Sequence, residues 1–332
     1  MKHLSFPVLL LLAAALDGCE TTVDLPEPPH TPRVALAFTL SPNPQDSSFA
    51  ALYRGRQLYI SNSQSAFDTR QLEGRTDATV DLRDAAGQVV ERYRPRPSGT
   101  DPQSGFFLGP PGYYKPVLGF RPQVGQAYTL RATLPGFETA ESTLTLPAAP
   151  VVESGAYTPR TTAGPNSGEY TGRLSVVLRD DPATPNYYLA FARLLDKQGN
   201  AGNWSAVDVD YDSQGNTAGS IGQFQLSSPQ QEYSVYPFAD TDVNGQRIVL
   251  ASDVRFYTPC FPFTPRCPEP GFIEVYVSSI TADTYNFYLS RRRYYDSDGN
   301  PFAEPAPLAS NVRNGYGIFG GATEVTFRIP LP

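Results

Sequence analysis

The residues best equipped for chemistry in this chain are few: three cysteines and two histidines in 332 residues. His3 sits in a short basic start with Lys2, and His30 sits in a proline-rich stretch. Beyond Pro32 there is no imidazole, which removes nucleophile arrangements built on histidine and ordinary zinc or copper sites. Catalysis would have to use carboxylates, Tyr, Lys or Arg, and Lys115 and Lys197 are the only lysines after Lys2. A carboxylate-based glycan hydrolase needs two carboxyls about 5–10 Å apart in a cleft, and no pair in the sequence stands out for that work. The expectation is a chain that is not an enzyme and carries no cofactor.

The thiols divide into one and two. Cys19 follows Leu16-Asp17-Gly18 at the end of an apolar run from Leu4 to Leu16. That run is short of the roughly 20 residues of a membrane span and reads as the core of a signal peptide over residues 1–18. Leu16 and Gly18 resemble the bacterial lipobox, where cleavage precedes a diacylated cysteine; Asp17 fits that pattern poorly. Two acyl chains, at about 0.8 kcal/mol per buried methylene, suffice for stable anchoring. Ordinary secretion with an unpaired Cys19 is the alternative. Cys260 and Cys267 bracket the loop CFPFTPRC and make one even pair in an exported chain, which reads as a disulfide. A metal pair is the rival there, with no further thiol or imidazole to complete it.

Hard cations are the other option. Asp240, Asp242 and Asn244 in DTDVNG copy the start of an EF-hand loop, but the twelfth place is Ala251, where a bidentate Glu is needed. A tight turn is the competing reading. Asp208, Asp210 and Asp212 alternate along VDVDYD and would share one strand face, either as a calcium cradle or as a solvated face. Interaction surfaces have their own candidates. Arg291, Arg292 and Arg293 fall late in a helical pattern, suited to a helix C-terminus or to a partner. Phe106, Phe107, Tyr113 and Tyr114 in FFLGPPGYY, and Phe261 and Phe263 in the cysteine loop, either fold back to cap a core or form an exposed apolar patch.

The elements that position these residues are mostly strands. Thirty-three prolines and 27 glycines punctuate the chain too often for long helices. With 40% hydrophobic residues, 12% aromatics and a net charge of -7, the chain has material for real cores and no basic stripe for nucleic acid. After an acidic Pro-rich tether over 19–32, short alternating runs such as RVALAFTL and the hairpin pair QAYTLRATLPGFETAESTLTLP predict an immunoglobulin-like or fibronectin-like sandwich over 33–148. A second β-rich domain is expected over 149–332. Its helix, near 281–295, begins at Thr281 as N-cap and carries Tyr285, Tyr288, Leu289, Arg292 and Tyr295 at helical spacing. The fold class is therefore mainly β, with two β-sandwich-type domains and one α-helix in the C-terminal domain.

One stretch carries more specific information. Gly315, Gly317, Gly320 and Gly321 surround Ile318 and Phe319, a strand entry whose backbone passes close to another element or adopts positive φ. Together with Pro301, Phe302, Glu304, Pro305, Ser310 and Asn311, this pattern resembles domain-of-unknown-function family 4249, lipoproteins of Bacteroidetes-type bacteria. RDDPATPNYYLAF, FADTDVNGQRIVL and the SSITADTYNFY helix are similar to family landmarks. The resemblance implies an outer-membrane lipoprotein held in lipid through Cys19, on the cell surface, encoded beside a TonB-dependent receptor and assisting it in capturing an unknown ligand. It supplies no catalytic residues. A structural or adhesive surface module is the alternative function.

Overall fold

The computed structural model describes residues 29–43, 56–65, 68, 70, 72–162, 169–210, 213, 224–228, 235–258, 269–297 and 306–332. Residues 1–31 and 64–70 cluster apart from a body made of 32–63 and 71–332. In the smaller unit the described residues include an exposed ion pair between Asp68 and Arg70.

In the body, nine strands come from the first half: β1 (Val34–Leu40), β2 (Leu58–Asn62), β3 (Thr79–Arg83), β4 (Val89–Pro95), β5 (Gly99–Thr100), β6 (Phe107–Gly109), β7 (Tyr113–Pro116), β8 (Ala127–Thr133) and β9 (Ala140–Thr145). The second half adds β10 (Val151–Thr162), β11 (Glu169–Arg179), β12 (Tyr187–Asp196), β13 (Ala201–Ala206), β14 (Asp208–Val209), β15 (Phe238–Ala239), β16 (Arg247–Tyr257), β17 (Pro270–Ile280), helix α1 (Ala282–Ser297) and β18 (Gly315–Pro330). Among the described residues, no helix is long and apolar enough to cross a membrane.

The chain is mainly β, and its large open sheets pack as sandwiches. One sheet runs β13-β12-β17-β18-β1-β2-β7-β4-β3-β8-β9, with β15 beside β12. Strict alternation drives the first core. Val34, Leu36, Phe38 and Leu40 of β1, Val80 and Leu82 of β3, and Tyr128, Leu130 and Ala132 of β8 all point inward. The sheet curls so that Arg313, just before β18, makes a single bridge to Glu141 of β9.

The second core lies between the β12-β17-β18 part of that sheet and a separate sheet, β10-β11-β16-β14. Leu174, Val176 and Leu178 face Ala190, Ala192 and Leu194 across it. β12 reads YYLAFARLLD without alternation because both of its faces are covered. Its other face, with Leu189 and Phe191, packs with Tyr288 of α1. Thr281 caps α1: its hydroxyl is 2.8 Å from that of Thr284 and accepts from the Thr284 N–H at 3.4 Å.

β18 joins the two cores. Its first half pairs in parallel with β1, from Val34↔Gly315 to Leu40↔Gly321, and its second half pairs antiparallel with β17. Gly317 has φ +104, and a Cβ there would collide with the Leu36 carbonyl oxygen. Asn311 holds the next turn of chain: it accepts from the Phe319 N–H at 3.0 Å and donates to the Phe319 carbonyl at 2.9 Å. The glycine-rich motif is thus a device for threading one strand between two cores.

Three strands form where the sequence shows no strand pattern. Residues 147–168 read as the Pro/Gly/Ser/Thr-rich opening of the second domain, yet β10 occupies 151–162 at a sheet edge. An edge strand tolerates Pro159 at a register shift, which lies between Pro159 and Thr161. The hairpin β5–β6 forms inside what reads as a loop.

Candidate functional site

A cavity of about 380 Å³ opens at one end of the first core. Phe38 from β1, Tyr93 from β4 and Phe120 from the loop after β7 form aromatic walls, with Leu40, Leu82, Pro116 and Pro122 between them. The Phe38 and Tyr93 rings meet edge to face at 5.5 Å. Phe120 is held the same way against Tyr128 at 5.7 Å.

Glu91 builds the loop that carries Phe120. Its side chain faces inward from β4, one position out of phase with the exposed Arg92. One carboxylate oxygen accepts from the N–H groups of Arg92 at 2.8 Å, Val117 at 2.9 Å and Leu118 at 2.6 Å. The other accepts from the Phe120 N–H at 2.9 Å. Burial pushes the Glu91 pKa up, but these four donors outweigh it and hold the carboxyl below its ordinary value. Behind the opposite wall, Glu324 of β18 fixes three lining residues: it is ion-paired with Arg56 and accepts from Ser41 Oγ at 2.7 Å and Asn43 Nδ2 at 2.9 Å. The Tyr93 pKa is pushed up by burial and by the charge of Glu91. Its hydroxyl has no hydrogen-bond partner among the described residues. The arrangement suits a ring-shaped or otherwise apolar molecule that offers one acceptor to a phenol.

The predicted interaction residues separate sharply. Phe106 and Phe107 are 75% and 71% exposed, at the tip of an arm formed by residues 96–112, with β5 and β6 as its strands. Tyr114, a candidate for the same patch, takes the other alternative and is core. β7 alternates, and register with Leu58 turns Tyr114 inward. Its hydroxyl accepts from the Ala78 N–H and donates to the Arg75 carbonyl, both at 3.0 Å. Tyr114→Phe is expected to cost about 1–3 kcal/mol by leaving those groups unpaired, measurable as a lower urea midpoint at constant slope. Tyr113 is half-buried beside Tyr59, ring centres 5.1 Å apart.

The three arginines form no common surface. Arg292 lies over the Tyr236 ring at 4.5 Å, Arg291 over Tyr295 at 5.7 Å, and Arg293 is exposed. The helix runs on to Ser297, so its last turn carries no cation and the dipole reading of these arginines is corrected. Phe261, Phe263, Cys260, Cys267, Cys19 and Asp212 lie outside the described residues.

The calcium candidates are not gathered. Among the described residues, no three His, Cys, Asp or Glu side chains are placed to hold a metal ion. Asp208 accepts from Ser228 Oγ at 2.7 Å, while Asp210 is 4.0 Å from Arg255. DTDVNG is a turn between β15 and β16, closed by the Val243 N–H on the Asp240 carbonyl at 2.7 Å. Asp242 and Asn244 face solvent, and only Asp240 is buried.

Asp240 shows something the sequence did not signal. It accepts from the Asn186 N–H at 2.9 Å and lies near enough to Asp180 to feel its charge. Asp180 in turn accepts from the Tyr188 hydroxyl at 2.5 Å and the Gly245 N–H at 2.7 Å. The RDDPATPNYY and DTDVNG segments are therefore tied together through two buried carboxyls. Burial raises the Asp240 pKa, aided by the Asp180 charge and opposed by the Asn186 donors. An acid with a raised folded pKa holds its proton better when folded. Its penalty is absent below the unfolded value, grows as pH rises through it, and is complete above the folded value. Asp240→Asn keeps a donor toward Asp180 and removes the charge. It is expected to leave stability unchanged in acid and to raise it at neutral pH, which urea titrations at the two pH values check.

These landmarks are also where comparison with known families decides the question. The family model described as Domain of unknown function (DUF4249) matches residues 42–328. The chain belongs to the DUF4249 family. The matched span takes in the cavity lining from Pro42 to Pro122, though not Phe38 to Ser41, together with the aromatic arm, the two aspartate segments and the glycine threading of β18. No curated protein matches the chain.

Proposed function

We propose that this DUF4249 chain is an outer-membrane-anchored, non-enzymatic lipoprotein that captures a small ligand as the accessory partner of a TonB-dependent transporter. The cavity carries this reading: three aromatic walls and one phenol hydroxyl with no partner among the described residues, beside carboxylates already engaged by protein donors. Glu91 is held as the anion, so it is poorly suited to pass a proton, and the remaining groups favour binding over turnover. The lipobox at Cys19 and the acidic tether support anchoring at the cell surface, and the Cys260–Cys267 pair is taken as a disulfide.

Native mass spectrometry of protein released gently from outer membranes tests capture. Wild type is expected to carry a small-molecule adduct. Tyr93→Phe should weaken it and Phe120→Ala should abolish it. Adduct-free wild type, or an adduct indifferent to both substitutions, counts against a binding cavity.

A further inference from the structure

The arm at residues 96–112 has two properties that belong together. Its tip is apolar: Phe106 and Phe107 are adjacent in sequence and both are in solvent. Leu108 adds to them at 46% exposed. Its base is cationic. Arg94 pairs in register with Lys115, and Arg92 receives the Val117 N–H on its carbonyl. Arg92, Arg94, Arg96 and Lys115 thus line the outer face of the β4–β7 ribbon, opposite the inward Glu91 and Tyr114.

None of these four cations has a carboxylate partner among the described residues; Arg96 donates to Gln57 Oε1 at 3.0 Å. Elsewhere in the body, by contrast, Arg75, Arg83, Arg131, Arg247 and Arg328 are all ion-paired. A run of cations with no carboxylate partner among the described residues is conspicuous in a chain of net charge -7.

The direction of the arm follows from register. Ala37 lies beside Tyr59 and Val34 beside Asn62, while Leu58 lies beside Tyr114 and Tyr59 beside Tyr113. Moving from Tyr114 toward the arm is therefore moving from Ala37 toward Val34. The arm leaves the sheet at the end where the chain enters the body. Its root is fixed: Gly112, at φ +94, is wedged against Gly74, the Tyr59 ring and the Ile60 carbonyl, and its own carbonyl accepts the Ile60 N–H at 2.9 Å.

We infer that this arm docks on the surface of an anionic phospholipid bilayer, with Phe106 and Phe107 entering the headgroup boundary and the four cations meeting lipid phosphates. Aromatic side chains ahead of a basic belt match the two layers of such a surface. The inference rests on the anchor reading for the distance to the membrane: a chain tethered at Cys19 enters the body on the side the arm faces.

Full-length lipidated protein is reconstituted into vesicles of phosphatidylcholine alone or mixed with phosphatidylglycerol. Phe107→Trp is compared with the parent, whose one tryptophan is Trp204. The expected result is added emission that shifts to the blue and is quenched by brominated acyl chains. It should be stronger on the anionic vesicles and weaker in high salt. Arg94→Glu with Arg96→Glu should keep the protein on the vesicles and lose the shift. Protein that floats with vesicles while position 107 stays water-quenched overturns the inference and leaves the anchor standing. Protein that fails to float overturns the anchor; the arm is then read by adding the same vesicles to free protein, where the shift is still expected and its absence is decisive. Protection of position 107 that requires added outer-membrane protein overturns the inference in favour of a protein partner.

Discussion

Gly317→Ala is expected to destabilise the protein by at least about 3 kcal/mol. The backbone at Gly317 has φ +104, outside the range that L side chains adopt readily, and the new methyl would collide with the Leu36 carbonyl oxygen. That carbonyl sits on β1, which pairs with β18 through this position. Neither strand has room to withdraw, because β18 is also tied by Asn311 to Phe319 and, beyond Gly321, to β17. Both cores lose their shared strand together, so a single cooperative transition at a much lower urea midpoint is the expected readout. An unchanged midpoint would show that the β1–β18 register is not as described.

Cys19→Ser is expected to have the largest effect on where the protein resides. On the proposed reading, diacylation of Cys19 would provide two acyl chains, enough for stable attachment where one chain is marginal. Without the thiol there is no site for the lipid, and cleavage before position 19 fails with it. The variant should take up no labelled palmitate, retain residues 1–18 by mass, and leave the outer-membrane fraction. Unaltered palmitate labelling, or cleavage at the same bond, would remove the anchor from the functional reading.

Much of the fold was legible because its strands alternate. RVALAFTL, the Ala78–Val80–Leu82 hairpin and the QAYTLRATLPGF pair all form where period-two patterning puts them. The α1 start was legible from Thr281, whose hydroxyl makes the cap. What the sequence hid depends on partners far along the chain. β10 shows no strand pattern because Ser154, Gly155 and Pro159 interrupt it, and only an edge position beside β11 makes those residues acceptable. Tyr114 looked like its neighbours in FFLGPPGYY; its burial is set by register with Leu58, which local composition does not encode.

The site was less legible than the fold. Phe106 and Phe107 were singled out by type, but the same type gave Tyr114, which is core. The cavity assembles Phe38, Tyr93 and Phe120 from three separate segments, and Glu91 reads as an ordinary strand carboxylate until the 117–120 loop closes on it. The link from Asp180 to Gly245 and from Asp240 to Asn186 joins two segments that each look like an exposed acidic turn. The run RDD and the turn DTDVNG each hold a second acid, and nothing local says which of the two turns inward.

Purification of the tagged protein from detergent-solubilised outer membranes of its native cells, with the co-eluting proteins identified by mass spectrometry, bears most directly on the proposed transporter partnership. A β-barrel transporter is expected in near-equal amount with wild type and should be lost with Cys19→Ser. A lipoprotein that elutes alone, or with no barrel protein above the level carried by an unrelated tagged lipoprotein, would contradict the proposed role.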